Sequence, residues 1–352
     1  MLCRKGRSIL RSTFDLMGDS MAERVRNQEV DILRGIAAVL MILGHSFIVY
    51  PVNIASVPWC AAIEHFIYTF HMELFFILAG YVYHCIGYKS YIRKKIERIA
   101  LPYFVFGIGA MLLRAYGGAA INGTEPIGEG IIKLFFRGGG YWFLYVSFLI
   151  FAVYPLLDRV LSKNMAIEIA FCGLILIFYQ YVKVTDFLAL DTVTHYLPYF
   201  VIGHIMAKIN RGGVRTKKSI LISAFIIYVV LDSYEISNDE RLGAIFHFIR
   251  AISMCYVIFC LSKVVFDRWG ERRCCIQIKK SLIDCSKYSL QIYLFNGYLL
   301  TAIRIILCNI LKIQSPFLIA MTIWIGDLAI SLILCKYILP KMRLLASLCG
   351  IK

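Results

Sequence analysis

An arginine and a histidine stand eleven residues apart in the stretch 31–50, DILRGIAAVLMILGHSFIVY, which is otherwise almost entirely apolar. Arg34 carries a permanent charge on a planar fork of donors, and His45 titrates near neutrality, so one can clamp an anion and the other can move a proton. At ~100° per residue, eleven steps make three turns plus about 20°, which puts both side chains on one helical face roughly 16 Å apart. A helix of this length spans a bilayer, and ionisable groups at that depth face protein or a water-filled cavity. The plain alternatives are an arginine snorkelling to lipid phosphate and a histidine bonded to a neighbouring helix.

Other residues able to do chemistry lie further along. Asp31, one turn before Arg34, can orient it or simply favour a helix start. The stretch FHMELFFILAGY (70–81) brings His71 and Glu73 into an apolar run, and Glu64, seven residues before His71, shares its helical face. Glu73 can steer an imidazole as a carboxylate does in a triad, or pair with an intramembrane arginine such as Arg114 or Arg250. In YIRKKIERIALPY (91–103), Lys95 and Arg98 are three apart on one face, suited to phosphate or to lipid headgroups. Trp142, with Tyr141 and Tyr145, suits an interface belt or a stacking surface, and Tyr293 and Asn296 share a face of a late helix. His65, His84, His195, His204 and His247 lack metal-ligand spacing, and no metal is assigned.

The elements that must position these residues are membrane helices. The chain of 352 residues is 60% hydrophobic and only 17% charged, with mean hydropathy +0.72. A soluble domain carries about 25% charged residues, so the composition excludes one and indicates an all-α integral membrane protein. The net charge of +16 suggests nucleic acid at first sight, yet the basic residues fall between apolar runs and form no tract. They read as topology determinants and contacts to anionic lipid. Ten stretches have span character: 31–50, 61–85, 99–116, 141–157, 166–182, 194–209, 219–234, 244–266, 286–308 and 317–338. With the N-terminus inside, inner segments hold 29 Lys and Arg and outer segments hold 5, which predicts both termini in the cytoplasm.

Residues 1–28 form a basic extension without a signal-peptide core, 29–340 the membrane domain, and 341–352 a cytoplasmic tail; translation can start at Met1 or Met21. A Gly-rich outer loop, 117–140, holds the amphipathic piece IIKLFF, able to rest on the membrane or dip into it. The twelve cysteines are scattered, with no CxxC pair, and read as packing residues.

Five stretches together resemble the acyltransferase-3 family of membrane acyltransferases, on its fucose 4-O-acetylase-like branch. DILRGIAAVLMILGH is similar to the first-span pattern, FHMELFFILAGY to the second, and YIRKKIERIALPY to the basic loop. YWFLYV (141–146) matches the Trp-Phe-Leu element, and SKYSLQIYLFNGYL (286–299) resembles the late span. Two departures stand out. Ala79 replaces a usual serine, and Asn296 replaces a usual histidine, so Asn296 can hydrogen-bond but cannot act as a base.

The resemblance implies an O-acyltransferase of the cytoplasmic membrane. It would move an acetyl group from acetyl-CoA to a hydroxyl of an envelope sugar, a polysaccharide or a lipid-linked glycan. On that reading His45 is general base or transient acyl carrier, assisted by Glu73 and Asp31. Arg34, Lys95 and Arg98 hold coenzyme A phosphates, and His71, Trp142, Tyr293 and Asn296 line the acceptor site. A pantetheine arm, roughly 15–20 Å long, matches the rise from Arg34 to His45. The expected partners are the glycan and membrane lipid, with no nucleic acid, and no motif sets an oligomeric state. The rival reading is a glycan or lipid transporter or flippase using the same intramembrane charges, although neither half of the chain repeats the other.

Overall fold

Helix is the only regular structure among the residues described by the computed structural model, which are 28–118, 125–182, 185–209, 218–233 and 240–351. The N-terminal extension, apart from Gln28, lies outside these residues. All ten apolar stretches carry helix. Among the described residues, six segments are long and apolar enough to cross a membrane: Pro58–Tyr81, Tyr88–Tyr116, Ile127–Leu161, Gly243–Trp269, Ser289–Ile310 and Pro316–Lys341. The protein is a multi-pass membrane protein. The helix carrying Arg34 and His45, α1 (Gln28–Ser46), is not among the six, because Glu29, Asp31 and Arg34 crowd its first two turns.

The second apolar stretch is interrupted. Pro58, whose fixed φ suits a first helical turn, starts α2 (Pro58–Tyr68), and a new helix, α3 (His71–Tyr81), begins after Thr69 and Phe70. Thr69 Oγ1 donates back to the His65 carbonyl at 2.8 Å, and Phe70 takes a non-helical φ of −148°. The break places Glu64 and His71 on different helices, so the shared face expected for them is not formed. Glu73 instead falls in the first turn of α3, where a carboxylate is favoured by the helix dipole.

The helices that follow are α4 (Tyr88–Lys95), α5 (Leu101–Tyr116), α6 (Ile127–Phe136), α7 (Trp142–Leu161), α8 (Met165–Tyr181) and α9 (Leu190–Ile209). Then come α10 (Lys218–Ser233), α11 (Glu240–Trp269), α12 (Arg273–Lys287), α13 (Ser289–Arg304), α14 (Pro316–Ile333) and α15 (Arg343–Leu348). A π-turn, Ile96–Ala100, joins α4 to α5. The amphipathic piece of the outer loop lies within α6, which is tied down by Tyr103 donating to the Leu134 carbonyl and Tyr145 donating to that of Phe135. The C-terminal tail packs on the body. Gln291 Nε2 donates to the Cys349 carbonyl at 2.8 Å, and Gly350 lies against the Arg98 backbone.

Helix α1 is the hub, packing against α2, α3, α11, α12, α13 and α14. Lipid and apolar side chains are equally oily, so membrane helices associate through close packing that small residues permit. A Cβ on Gly80 of α3 would lie 1.9 Å from the Phe200 carbonyl of α9, and one on Gly203 of α9 would lie 1.9 Å from the Ile77 carbonyl of α3. Gly35 of α1 meets the Leu282 carbonyl of α12 at 2.1 Å in the same sense. Gly80→Ala or Gly203→Ala is therefore expected to cost about 2 kcal/mol or more through overpacking, seen as a lower unfolding temperature in detergent. Gly173→Ala, where a Cβ meets nothing within 4 Å, is the control expected to lose no stability.

Candidate active site

A cavity of about 760 Å³ opens beside the C-terminal end of α1. Its lining includes His45, together with His71, Trp142, Tyr293 and Asn296 from three separate stretches of the chain. Tyr50, Tyr68, Tyr141, Tyr196 and Tyr298 add aromatic surface, and Arg114 and Arg304 add charge. Aromatic faces interleaved with hydrogen-bonding groups and two imidazoles form a surface suited to a polyhydroxylated ligand.

His45 occupies the last turn of α1, and its Nδ1 is 3.3 Å from the Tyr68 hydroxyl. Tyr68 in turn packs edge-on against His71, with ring centroids 5.1 Å apart. For His45 Nε2 to act as a base, Nδ1 must carry the proton and donate to Tyr68. His71 Nδ1 is 2.9 Å from the Ile67 carbonyl, which only accepts, so this nitrogen is the donor and Nε2 of neutral His71 keeps the lone pair. Tyr68 was not singled out in the sequence, although its position one turn before His71 was a signal for it.

Glu73 does not orient His45. The carboxylate, 2% exposed, accepts from His247 Nε2 at 3.1 Å and lies 3.9 Å from His195 Nε2. Behind His247, Arg250 reaches its Nδ1 at 3.3 Å and Asp232 at 3.0 Å, and Asp232 also meets His65 at 3.0 Å. The interruption at Thr69–Phe70 turns Tyr68 and His71 toward His45, while Glu73 meets α9 and α11. His195 and His247, which carry no metal-ligand spacing in the sequence, thus acquire a buried partner far away in the chain. Asp31 accepts from Ser286 Oγ at 2.9 Å, which joins α1 to α12.

Two groups bring three ligand-type atoms within 4.8 Å: Glu73 with His195 and His247, and Asp158 with Glu168 and His204. Each already contains a fixed cation. Arg250 is always a donor, so it takes the Nδ1 lone pair of His247 and leaves Nε2 as the N–H that Glu73 accepts. Lys208 pairs with Glu168, and the Tyr154 hydroxyl is 2.6 Å from His204 Nδ1. Both fit internal ion-pair networks better than cation sites.

The residues expected to hold coenzyme A phosphates lie elsewhere. Arg34, Lys95 and Arg98 do not line the cavity, and Lys95 is within electrostatic range of both arginines. The Lys95 ammonium sits 3.6 Å from the Phe151 ring centroid and 5.2 Å from that of Tyr91, so aromatic faces hold it. Between Arg34 and His45, Ala37, Ala38, Met41 and Ile42 are at most 2% exposed. On the acceptor side, Trp142 stacks on Tyr196 at 5.3 Å, and Tyr293 packs edge-on against Tyr141 and Phe143. Asn296 Nδ2 donates to Asp327 at 2.7 Å, and Asp327 accepts from Ser331 at 3.0 Å.

The family model for acyltransferase-3, described as an acyltransferase domain, matches residues 27–336. The chain belongs to that family. The match starts immediately before α1 and extends past α14, so it takes in both the cavity beside His45 and the cations Arg34, Lys95 and Arg98. No curated protein and no solved structure gives a significant match. The cavity is thus the candidate site of a member of a membrane acyltransferase family.

Removing one member of a buried charge network leaves the others uncompensated, which typically costs about 3–5 kcal/mol. Glu73→Ala is expected to destabilise the acyltransferase by that order, measured by thermal unfolding in detergent. Glu73→Ala combined with His247→Ala should lose less than the sum of the two single changes. A loss under about 1 kcal/mol for Glu73→Ala would place it among unremarkable surface-like substitutions.

Proposed function

We propose that this protein is an O-acetyltransferase of the cytoplasmic membrane that moves an acetyl group from acetyl-CoA to a hydroxyl of an envelope sugar or polysaccharide. The fucose 4-O-acetylase-like branch, the ten spans and the cytoplasmic placement of both termini belong to the same reading. The observation that carries it is His45, an imidazole on the wall of a cavity that it shares with His71, with aromatic and hydrogen-bonding side chains, and with the charged Arg114, Glu125 and Arg304. The outer position of that cavity follows from the excess of basic residues at the other ends of the helices.

In this reading the acceptor hydroxyl lies at His45 Nε2, which takes its proton as the oxygen attacks the thioester carbonyl. The tetrahedral intermediate collapses by breaking the carbon–sulfur bond, and the imidazolium returns the proton to the departing thiolate. Tyr68 holds the imidazole tautomer, the role first expected of Glu73. A transient acyl-imidazole is the other course open to the same group. Trp142 and Tyr293 shape the sugar pocket, and Asn296, fixed by Asp327, presents its carbonyl oxygen as an acceptor.

The nucleotide of the donor stays at the inner surface with Arg34, Lys95 and Arg98, and the arm runs along α1 toward His45. Because the cavity stops short of Arg34, delivery of the thioester requires the elements packed on α1 to part. Lys95 must also leave the Phe151 ring to meet a phosphate.

The test is acetyl transfer by purified protein in lipid nanodiscs, with labelled acetyl-CoA and envelope glycans. His45→Ala is expected to lower transfer by about 10²–10⁴-fold. Tyr68→Phe should lower kcat by roughly 10-fold with the donor KM unchanged, as expected for loss of an orienting hydrogen bond. Arg34→Ala should raise the donor KM by about 10-fold or more, the loss of a charged hydrogen bond. Unchanged transfer by His45→Ala at equal protein level would overturn the mechanism.

A further inference from the structure

The outer cavity does not end at its sugar-sized chamber. A second pocket of about 380 Å³ shares Ala110, Arg114, Glu125, Gly140 and Tyr141 with it, so the two adjoin. Arg304 and Arg114 line the first, and Arg114, Lys133 and Arg137 line the second. Among the described residues, the carboxylates on these walls are Glu125 and Asp186. Glu125 is already bound by Lys133 at 2.8 Å and Arg114 at 3.4 Å, and Asp186 lies 3.9 Å from Arg137. The Lys133 ammonium first, and the Arg114 guanidinium with it, hold the Glu125 carboxyl below the usual range, so it stays ionised and engaged. Even with Glu129, which also bonds Lys133 at 2.8 Å, the cations outnumber the carboxylates.

The innermost of these cations is Arg304, 6% exposed, whose Nη1 donates to the Tyr50 carbonyl at 3.2 Å. Asn296, Leu300 and Arg304 follow one another at four-residue steps on α13, and all three line the chamber. Asn296 and Arg304 are thus about 12 Å apart along one helical face. A ligand held at Asn296 reaches Arg304 along the same wall. In a cleft with low-dielectric walls, a surplus of one sign focuses the potential and selects the opposite charge. A guanidinium fork matches a carboxylate or a phosphate equally well.

We infer that the acceptor is an anionic glycan, its carboxylate or phosphate held at Arg304 and Arg114 while the hydroxyl to be acylated lies at His45. The inference rests on the acyl-transfer reading only for the position of the hydroxyl. The anion site itself is a property of the cavity.

The experiment measures equilibrium binding to nanodisc-reconstituted protein without acetyl-CoA. It uses two matched pairs: tri-galacturonate against its methyl ester, and galactose 1-phosphate against galactose. In at least one pair the anionic member is expected to bind about 10-fold or more tightly, with the preference shrinking as salt is raised. Preference in the first pair alone identifies a uronic-type carboxylate, and in the second alone a phosphate. Arg304→Gln should erase the preference, and Arg304→Lys should keep part of it; the salt response of the unaltered protein needs no variant. Equal or undetectable binding of charged and neutral members in both pairs overturns the inference. Labelled acetyl-CoA added to the same samples separates the two readings. Anion-selective binding without label transfer defeats acyl transfer alone, and equal transfer to charged and neutral members defeats anion selection alone.

Discussion

A carboxylate buried inside a membrane protein must find its donors within the protein, because the bilayer supplies none. Glu73 finds them in His247 and, at longer range, His195, and Arg250, Asp232 and His65 extend the chain of charges to α10 and α2. Five helices are thereby tied to one group near the start of α3. Each link satisfies a charge that would otherwise be costly, so the network constrains which faces of α3, α9, α10 and α11 can meet. The backbone contacts at Gly80 and Gly203 depend on that same register, since a rotated α3 would present Leu78 or Tyr81 where only a glycine fits.

The interruption at Thr69–Phe70 converts this anchoring into a site. A continuous helix would carry Tyr68, His71 and Glu73 around one cylinder at fixed angles. Starting afresh at His71 lets Tyr68 and His71 face His45 and leaves Glu73 to hold the bundle from behind. The contact with the His45 imidazole is thus made by a phenol, and the carboxylate pairs with the histidines of α9 and α11.

Helix content, the apolar stretches and the central helix were legible because their signals are local: length, hydropathy and the spacing of Arg34 and His45 along one helix. The grouping of His71, Trp142, Tyr293 and Asn296 was legible through resemblance, since they come from stretches that carry the family pattern and meet in one cavity. The break was not, because Thr69 and Phe70 include neither proline nor glycine, and the competing bond to His65 shows only in three dimensions. Nor were the partners of Glu73, which lie 122 and 174 residues away in the chain, a separation no periodicity reports. Arg304 belongs to no motif in the sequence, and its place in the cavity depends on how α13 packs.

The two ends of α1 face different problems. At the His45 end the cavity is already formed, and its aromatic walls are braced by one another, as with Trp142 on Tyr196 and Tyr141 against Tyr293. A preformed pocket limits the ordering cost of binding a flexible ligand. At the inner end the cations lie on less firmly held structure: neither α4 nor the π-turn after it contains a buried residue, while most of α1 is buried. Local openings draw on the segments with the fewest buried contacts. Lys95 and Arg98 ride on that segment and Arg34 on the hub, so movement of α4 shifts two of these three cations without disturbing His45. The half of the molecule around His45 is therefore the braced one, and the half that carries Lys95 and Arg98 is the one able to yield.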